Sequence, residues 1–278
     1  MAGELLEVLR AYRAQPVTFY APLSLAERIA LASHLECALP DEIEALYADH
    51  DGDTPLTPLL FHMMSATEAM KWFDTTRAYD EHEDPPLRWA EYGARAFWSD
   101  DNSNYAAIYV TGPMRGCVCF LAFDGTFDMR PMYRSVANFL WALLAAAPEG
   151  LDWTEMPTDY PELTPRHDYA QSAADWARAQ AMLALFEAMP STDDFLDSGQ
   201  RAYYASCAMN LTPFERSATL YRFLTDRDIT IQARACEILG VRRWKDATPL
   251  LEIAAKKGVE MVRFRATRAL TMISSIDR

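Results

Sequence analysis

Glycine is scarce in this chain, with 10 residues among 278. No GxGxxG, GxxxxGK(S/T) or GxSxG occurs. The Gly-rich loops that cradle phosphates with backbone N–H groups, and the nucleophile elbow, are therefore missing. Histidine is thin as well. His34, His62 and His167 stand alone in separate contexts, with no i,i+4 pair and no HExxH spacing. The five cysteines form an odd set without a CxxC, in a chain too large to need disulfide staples, which agrees with a reducing compartment. No run approaches the ~18 apolar residues of a membrane span. The opening MAGELLEVLRAYR interleaves Glu4, Glu7, Arg10 and Arg13 with apolar positions, which predicts an amphipathic helix and not a secretory leader. The expectation is a cytoplasmic protein without membrane contact.

What the chain does hold is apolar bulk and acid. Half of its residues are hydrophobic, enough for a substantial core and against disorder. The formal net charge is −14, unevenly spread. Residues 1–150 carry 10 Lys and Arg against 22 Asp and Glu, and residues 227–278 carry 11 against 6. An acidic front half repels phosphate backbones, so nucleic acid is not an expected partner. A basic protein partner suits it, and so does simple solubility.

Helix starts are well marked. Ser24-Leu25-Ala26-Glu27 and Ser65-Ala66-Thr67-Glu68 fit the capping box, in which a hydroxyl and a carboxylate satisfy orphan N–H groups reciprocally. Thr212-Pro213-Phe214-Glu215 adds Pro at the first helical position. Ser135 opens a helix that ends at Pro148. The division expected is an α+β domain over residues 1–148, a Pro-rich acidic linker over 149–166, and an all-α domain over 167–278. In the last segment Ile231, Arg234, Ala235 and Leu239 recur 31 residues later as Val262, Arg265, Ala266 and Leu270. Each repeat helix follows another, Pro213–Leu224 and Ala247–Lys257. The pattern resembles short HEAT-like repeats, whose small residues let helices approach closely.

Four clusters invite chemistry. Asp49-His50-Asp51-Gly52-Asp53 fails as a calcium loop, because Thr54 stands where Gly is needed and Leu60 where a bidentate Glu is needed; a helix-ending turn on Gly52 is the simpler reading. Glu81-His82-Glu83-Asp84 before Pro85-Pro86 reads as a solvated acidic loop rather than a convergent metal site. Cys117 and Cys119 share a strand face and read as core thiols. Arg242, Arg243, Lys245, Arg263, Arg265 and Arg268 can contact phosphate or pair with acids of the neighbouring repeat. No cofactor, metal or catalytic residue is expected.

Residues 95–125 form the most informative stretch. Tyr105–Val110 is a β-branched and aromatic run, Gly112–Gly116 is turn chemistry, and Cys117–Phe123 is a second run. Before them lies Ser99-Asp100-Asp101-Asn102-Ser103-Asn104, whose acids have no His, Lys or Arg within the loop. That composition suggests structure or recognition, not catalysis. Upstream, Leu39-Pro40-Asp41-Glu42-Ile43 leads through Leu46-Tyr47 to His50-Asp51-Gly52; a strand and capped helix follow over 61–78, then Phe97-Trp98-Ser99-Asp100-Asp101 and the hairpin. In this order the first half of the chain resembles the SUKH superfamily, which includes the Syd protein and the fungal Smi/Knr-type regulators of cell-wall synthesis. The resemblance implies a small, mostly antiparallel sheet with helices. It also implies an immunity protein that binds and neutralises a toxin, and the acidic front half suits occlusion of a basic toxin's active site. The residues expected to meet that partner are exposed acids and amides of two loops: Asp49, Asp51 and Asp53, and Asp100, Asp101, Asn102 and Asn104. For the second loop the alternative is that such side chains cap their own backbone. Two further readings stand: a scaffold using the HEAT-like surface, and an enzyme with a pocket the sequence does not advertise.

Overall fold

Local side-chain capping sets four of the helix starts, at Ser24, Ser65, Ser135 and Asp228. A computed structural model describes residues 2–54, 59–82, 92–122, 129–152, 155–160, 173–189 and 195–275. These form two units, Met1–Thr158 and Asp159–Arg278. In the first, α1 (Ala2–Arg13) precedes α2 (Leu25–His34) and α3 (Asp41–Asp49). Ser24 closes its capping box with Glu27, and the bonds from Ser24 hold the Glu27 carboxyl below its ordinary pKa. Then come β1 (His62–Met63), α4 (Ala66–His82), β2 (Ala94–Ser99), β3 (Asn104–Tyr109), β4 (Val118–Ala122) and α5 (Val136–Ala146). The Ser65 hydroxyl accepts the Glu68 N–H at 3.3 Å while Glu68 accepts the Ser65 N–H at 2.7 Å. The second capping box therefore starts α4. The Glu83–Pro86 stretch and His167 lie outside the described residues, as does the end of the run at Phe123.

The four strands form one antiparallel meander in the order β1-β2-β3-β4, which makes the chain α+β. The loop at 100–103 is not a lead-in to the sheet, as its sequence suggested. It is the turn of a β2–β3 hairpin in which Ser99 pairs with Tyr105. Strand β2 escaped notice because all six of its residues are buried, so it shows no polar–apolar alternation. A register shift between Ala96 and Trp98 bulges the strand at Phe97, whose carbonyl accepts the Met64 N–H at 2.9 Å. Phe139 of α5 packs against Trp98, Phe120, Phe61 and Tyr133 with ring centroids 5.0–6.3 Å apart. Beside them Arg95 lies over Phe73 of α4 at 4.6 Å and donates to the Leu35 carbonyl. Such aromatic pairs each add about 1 kcal/mol beyond their burial.

Every regular element among the described residues of the second unit is helical: α6 (Ala173–Ala188), α7 (Phe195–Leu211), α8 (Ile229–Val241), α9 (Thr248–Lys257) and α10 (Glu260–Ser274), with 3-10 turns between them. One expectation fails. Thr212 does not cap an α-helix at Pro213; its hydroxyl turns back to the Ala208 carbonyl at 2.7 Å. The segment Phe214–Thr225 is a 3-10 helix. Ser217, Thr219 and Thr225 each donate to a carbonyl three residues back, which matches that tighter winding. The repeated positions do share a core: Ile231, Ala235 and Leu239 of α8 meet Val262 and Ala266 of α10. Arg234 and Arg265, the repeated arginines, both bond Glu237, at 2.6 and 3.0 Å. Arg242 is buried and donates to the Met209 and Thr212 carbonyls at the end of α7, so it caps that helix.

At Gly240 α8 lies close against α10. A Cβ there would stand 2.6 Å from the Ala269 Cα. Replacing Gly with Ala inside a helix normally gains about 1 kcal/mol, but overpacking against backbone costs about 1–3 kcal/mol. Gly240→Ala is therefore expected to lower stability, read as a reduced midpoint in urea unfolding.

Candidate functional site

The two loop groups named from the sequence lie close together in the first unit, but they serve different ends. The α3 helix stops at Asp49, and the chain turns on Gly52 at φ 80°. A Cβ at Gly52 would stand 2.6 Å from the Met63 carbonyl oxygen, so only glycine lets this turn lie against β1. Asp51 accepts the Ala66 N–H at 2.7 Å and helps cap α4. Asp49 accepts from the Arg13 guanidinium at 2.7 Å and sits 3.0 Å from the His50 ring nitrogen Nδ1. Asp53 is fully buried; its carboxylate accepts the Tyr12 hydroxyl at 2.5 Å and the Met63 N–H at 3.3 Å. The expectation of three exposed acids is thus corrected for Asp53, while Asp49 and Asp51 are half-buried and bonded within the chain. Their spacing in sequence looked like a solvated turn, and what buries them is the return of β1 and α1 over it.

Electrostatics follow from this burial. Desolvation pushes the Asp53 carboxyl up to about 6 against the bonds from Tyr12 and Met63. Burial, and then the Asp53 charge, push the Tyr12 hydroxyl up. Burial lowers His50 although Asp49 pulls the other way. Burial resists ionisation of Asp49, but bonds from Arg13 and His50 prevail and hold it below its ordinary value.

The second loop is built for display. Asp100 Oδ1 accepts the N–H groups of Asn102 and Asn104 at 2.7 and 2.9 Å, and Oδ2 accepts from the Asn104 amide. Asp101 and Ser103 adopt φ of 58° and 68°, a left-handed backbone that Asp tolerates better than most residues. Asp100 and Asn104 therefore hold the turn, and Asp101 and Asn102 are left exposed at its tip. The Asp101 side chain is 57% exposed.

Behind the tip opens a cleft of about 380 Å³ lined by His62 of the edge strand β1, Ser99 at the end of β2, Glu68, Lys71 and Trp72 of α4, and Tyr105. Trp72 and Tyr105 have ring centroids 5.5 Å apart. Burial, reinforced by Asp100 and Asp101, raises the Tyr105 hydroxyl. Sequence reading missed these residues, since pairing of His62 with Ser99 across β1 and β2 joins positions that no motif links. Ser99, His62 and Asp101 gather the residue types of a hydrolase triad. Yet His62 Nδ1 is 3.6 Å from Asp101, and Ser99 Oγ accepts the Asp101 N–H at 3.0 Å. A triad needs the nucleophile bonded to the base, and among the described residues that bond is not made. Nor does any group of three or more His, Cys, Asp or Glu there stand ready to hold a metal. No described helix is long and apolar enough to cross a membrane.

The chain matches no protein-family model, and no curated protein matches it. The site is therefore read from its geometry.

Two outcomes are expected from this geometry. Between pH about 4 and about 6 the folded chain keeps a proton on Asp53 that the unfolded chain has released, so stability falls as pH rises through that window. The full effect is up to roughly 3 kcal/mol. Urea unfolding across this range should show Asp53→Asn losing less stability than the native chain. Asp100→Ala should cost about 1 kcal/mol and speed amide exchange at Asn102 and Asn104.

Proposed function

We propose that this chain is a non-enzymatic protein-binding module, an immunity protein of the SUKH type, whose acidic loop docks on a basic toxin and occludes it. The observation that carries the reading is the loop tip. Asp101 and Asn102 are exposed on a turn already held in place by Asp100 and Asn104. Ordering a loop on binding costs free energy, and a turn organised beforehand avoids much of that cost. The excess of 22 acids over 10 bases in residues 1–150 would steer a basic partner toward the surface and speed its association. The order of motifs along residues 20–147 supports the choice of immunity over other binding roles. Asp49, Asp51 and Asp53 enter this proposal only as the frame behind the loop.

A second reading is a scaffold that uses the helical unit. It is favoured by exposed apolar side chains on and beside α9 and α10: Ile253, Val259, Met261 and Phe264, the last 63% exposed.

One capture experiment separates the two. The tagged full-length chain is compared with a double variant, Asp101→Asn with Asn102→Lys, in pull-downs from its native cells across a salt series. Asparagine keeps the left-handed turn and removes only the charge. The expected result is one stoichiometric basic protein, retained by the native chain and weakened roughly tenfold by the variant. Retention unchanged in the variant would overturn the loop's role. Several weak partners, lost with Phe264→Ser, would transfer the reading to the scaffold.

A further inference from the structure

A second surface of the first unit carries a more specific inference. Helices α1 and α3 both pack on α5, and an open groove of about 700 Å³ runs along them. Its floor is apolar: Leu5, Leu6 and Leu9 from α1, Ala45 and Ala48 from α3. Leu6 is 58% exposed, well beyond what a helix facing its own core needs. Every charged side chain lining the groove is a carboxylate: Asp41, Glu42 and Asp49. Glu4 of α1 stands near enough to Glu42 to help raise its pKa, after the larger effect of burial.

The two ends are braced. Glu42 accepts the Val136 and Ala137 N–H groups at 3.0 and 3.4 Å, fastening α3 to the start of α5. At the other end Arg13 of α1 clasps the Asp49 carboxylate and carbonyl at 2.7 and 2.8 Å. These bonds hold α3 against α1 at one end and against α5 at the other. Asp49 is paired with Arg13 and Glu42 is held by the N–H groups of α5, so the acids left exposed on the rim are Asp41 and Glu4.

We infer that this groove binds an amphipathic helix of a protein partner, with leucine-like anchors on one face and lysine or arginine on its flanks. Small alanines at 45 and 48 leave room for inserted side chains, as helix-in-groove recognition requires. Nine residues of α3 rise about 14 Å, which matches two to three turns and anchors at i, i+3 or i+4, and i+7. The acids on the rim select basic flanks and repel acidic ones. This surface involves neither Asp101 nor Asn102, so it stands or falls apart from the loop.

The test uses a fluorescein-labelled peptide of about 18 residues, long enough to hold helix, with Leu at the anchor positions and Lys and Ala elsewhere. Two companions replace every Lys by Glu or scramble the order. Each is titrated by anisotropy against the full-length chain, against Leu6→Lys and Ala48→Lys, and against the double variant Asp101→Asn with Asn102→Lys. Both groove changes lie at exposed positions, and circular dichroism verifies that each variant folds. The expected result is saturable one-to-one binding of the Lys peptide, weakened roughly tenfold or more by either groove variant and unaffected by the loop variant. The Glu and scrambled peptides should bind weakly. Absence of saturable binding, or binding indifferent to both groove variants, would overturn the proposal. So would sedimentation showing a dimer that Leu6→Lys disperses, since the groove's occupant would then be a second copy of this chain.

Discussion

The buried hydrogen bond from Tyr12 to Asp53 is the contact on which the first unit's surface depends. Tyr12 comes from α1 and Asp53 from the turn after α3, and the same carboxylate accepts from Met63 on the edge strand β1. Three separate segments therefore meet at one side chain. Burial alone would expel such a carboxylate, which is why its pKa rises to about 6. It persists because removing it would leave the Tyr12 hydroxyl and the Met63 N–H without that acceptor in the interior, where an unmet polar group costs about 1–3 kcal/mol.

Both surfaces proposed for partners are set by this arrangement. Strand β1 carries His62 beside Asp101, so the position of the acidic tip relative to its cleft follows from where β1 is held. Helix α1 forms one wall of the apolar groove, and its end is tied to α3 through Arg13 and Asp49. The polar bonds fix position, and the aromatic cluster around Phe139 supplies the apolar burial beneath them. Within the second unit the division of labour is similar. Gly240 permits the close approach of α8 and α10, while Glu237 gathers Arg234 and Arg265 and Arg242 closes the end of α7. Arginines that looked available for phosphate are partly spent in this way.

Where the chain could be read directly, the cause was local. Ser24 with Glu27 and Ser65 with Glu68 start helices because a hydroxyl and a carboxylate three residues apart need nothing from elsewhere in the fold. Gly52 announced a turn because a positive φ is a property of one residue. Asp100 could be suspected of bonding its own loop because an Asx turn closes over two residues. Thr212 misled for the complementary reason: its hydroxyl had two local options, and the winding of the following segment decided between them.

The sequence by itself determined the helix starts capped by Ser24, Ser65 and Ser135, the acidic front half, the turn chemistry and the repeated positions of α8 and α10, all properties of short spans or of composition. Tertiary structure alone decided which acids face outward. Asp53 and Asp101 belong to loops of similar composition, yet one is buried under α1 and β1 and the other stands 57% exposed at a hairpin tip. Exposure depends on what packs over a residue. The covering elements, Tyr12 forty-one residues upstream of Asp53 and Met63 ten downstream, leave no mark in the loop they bury.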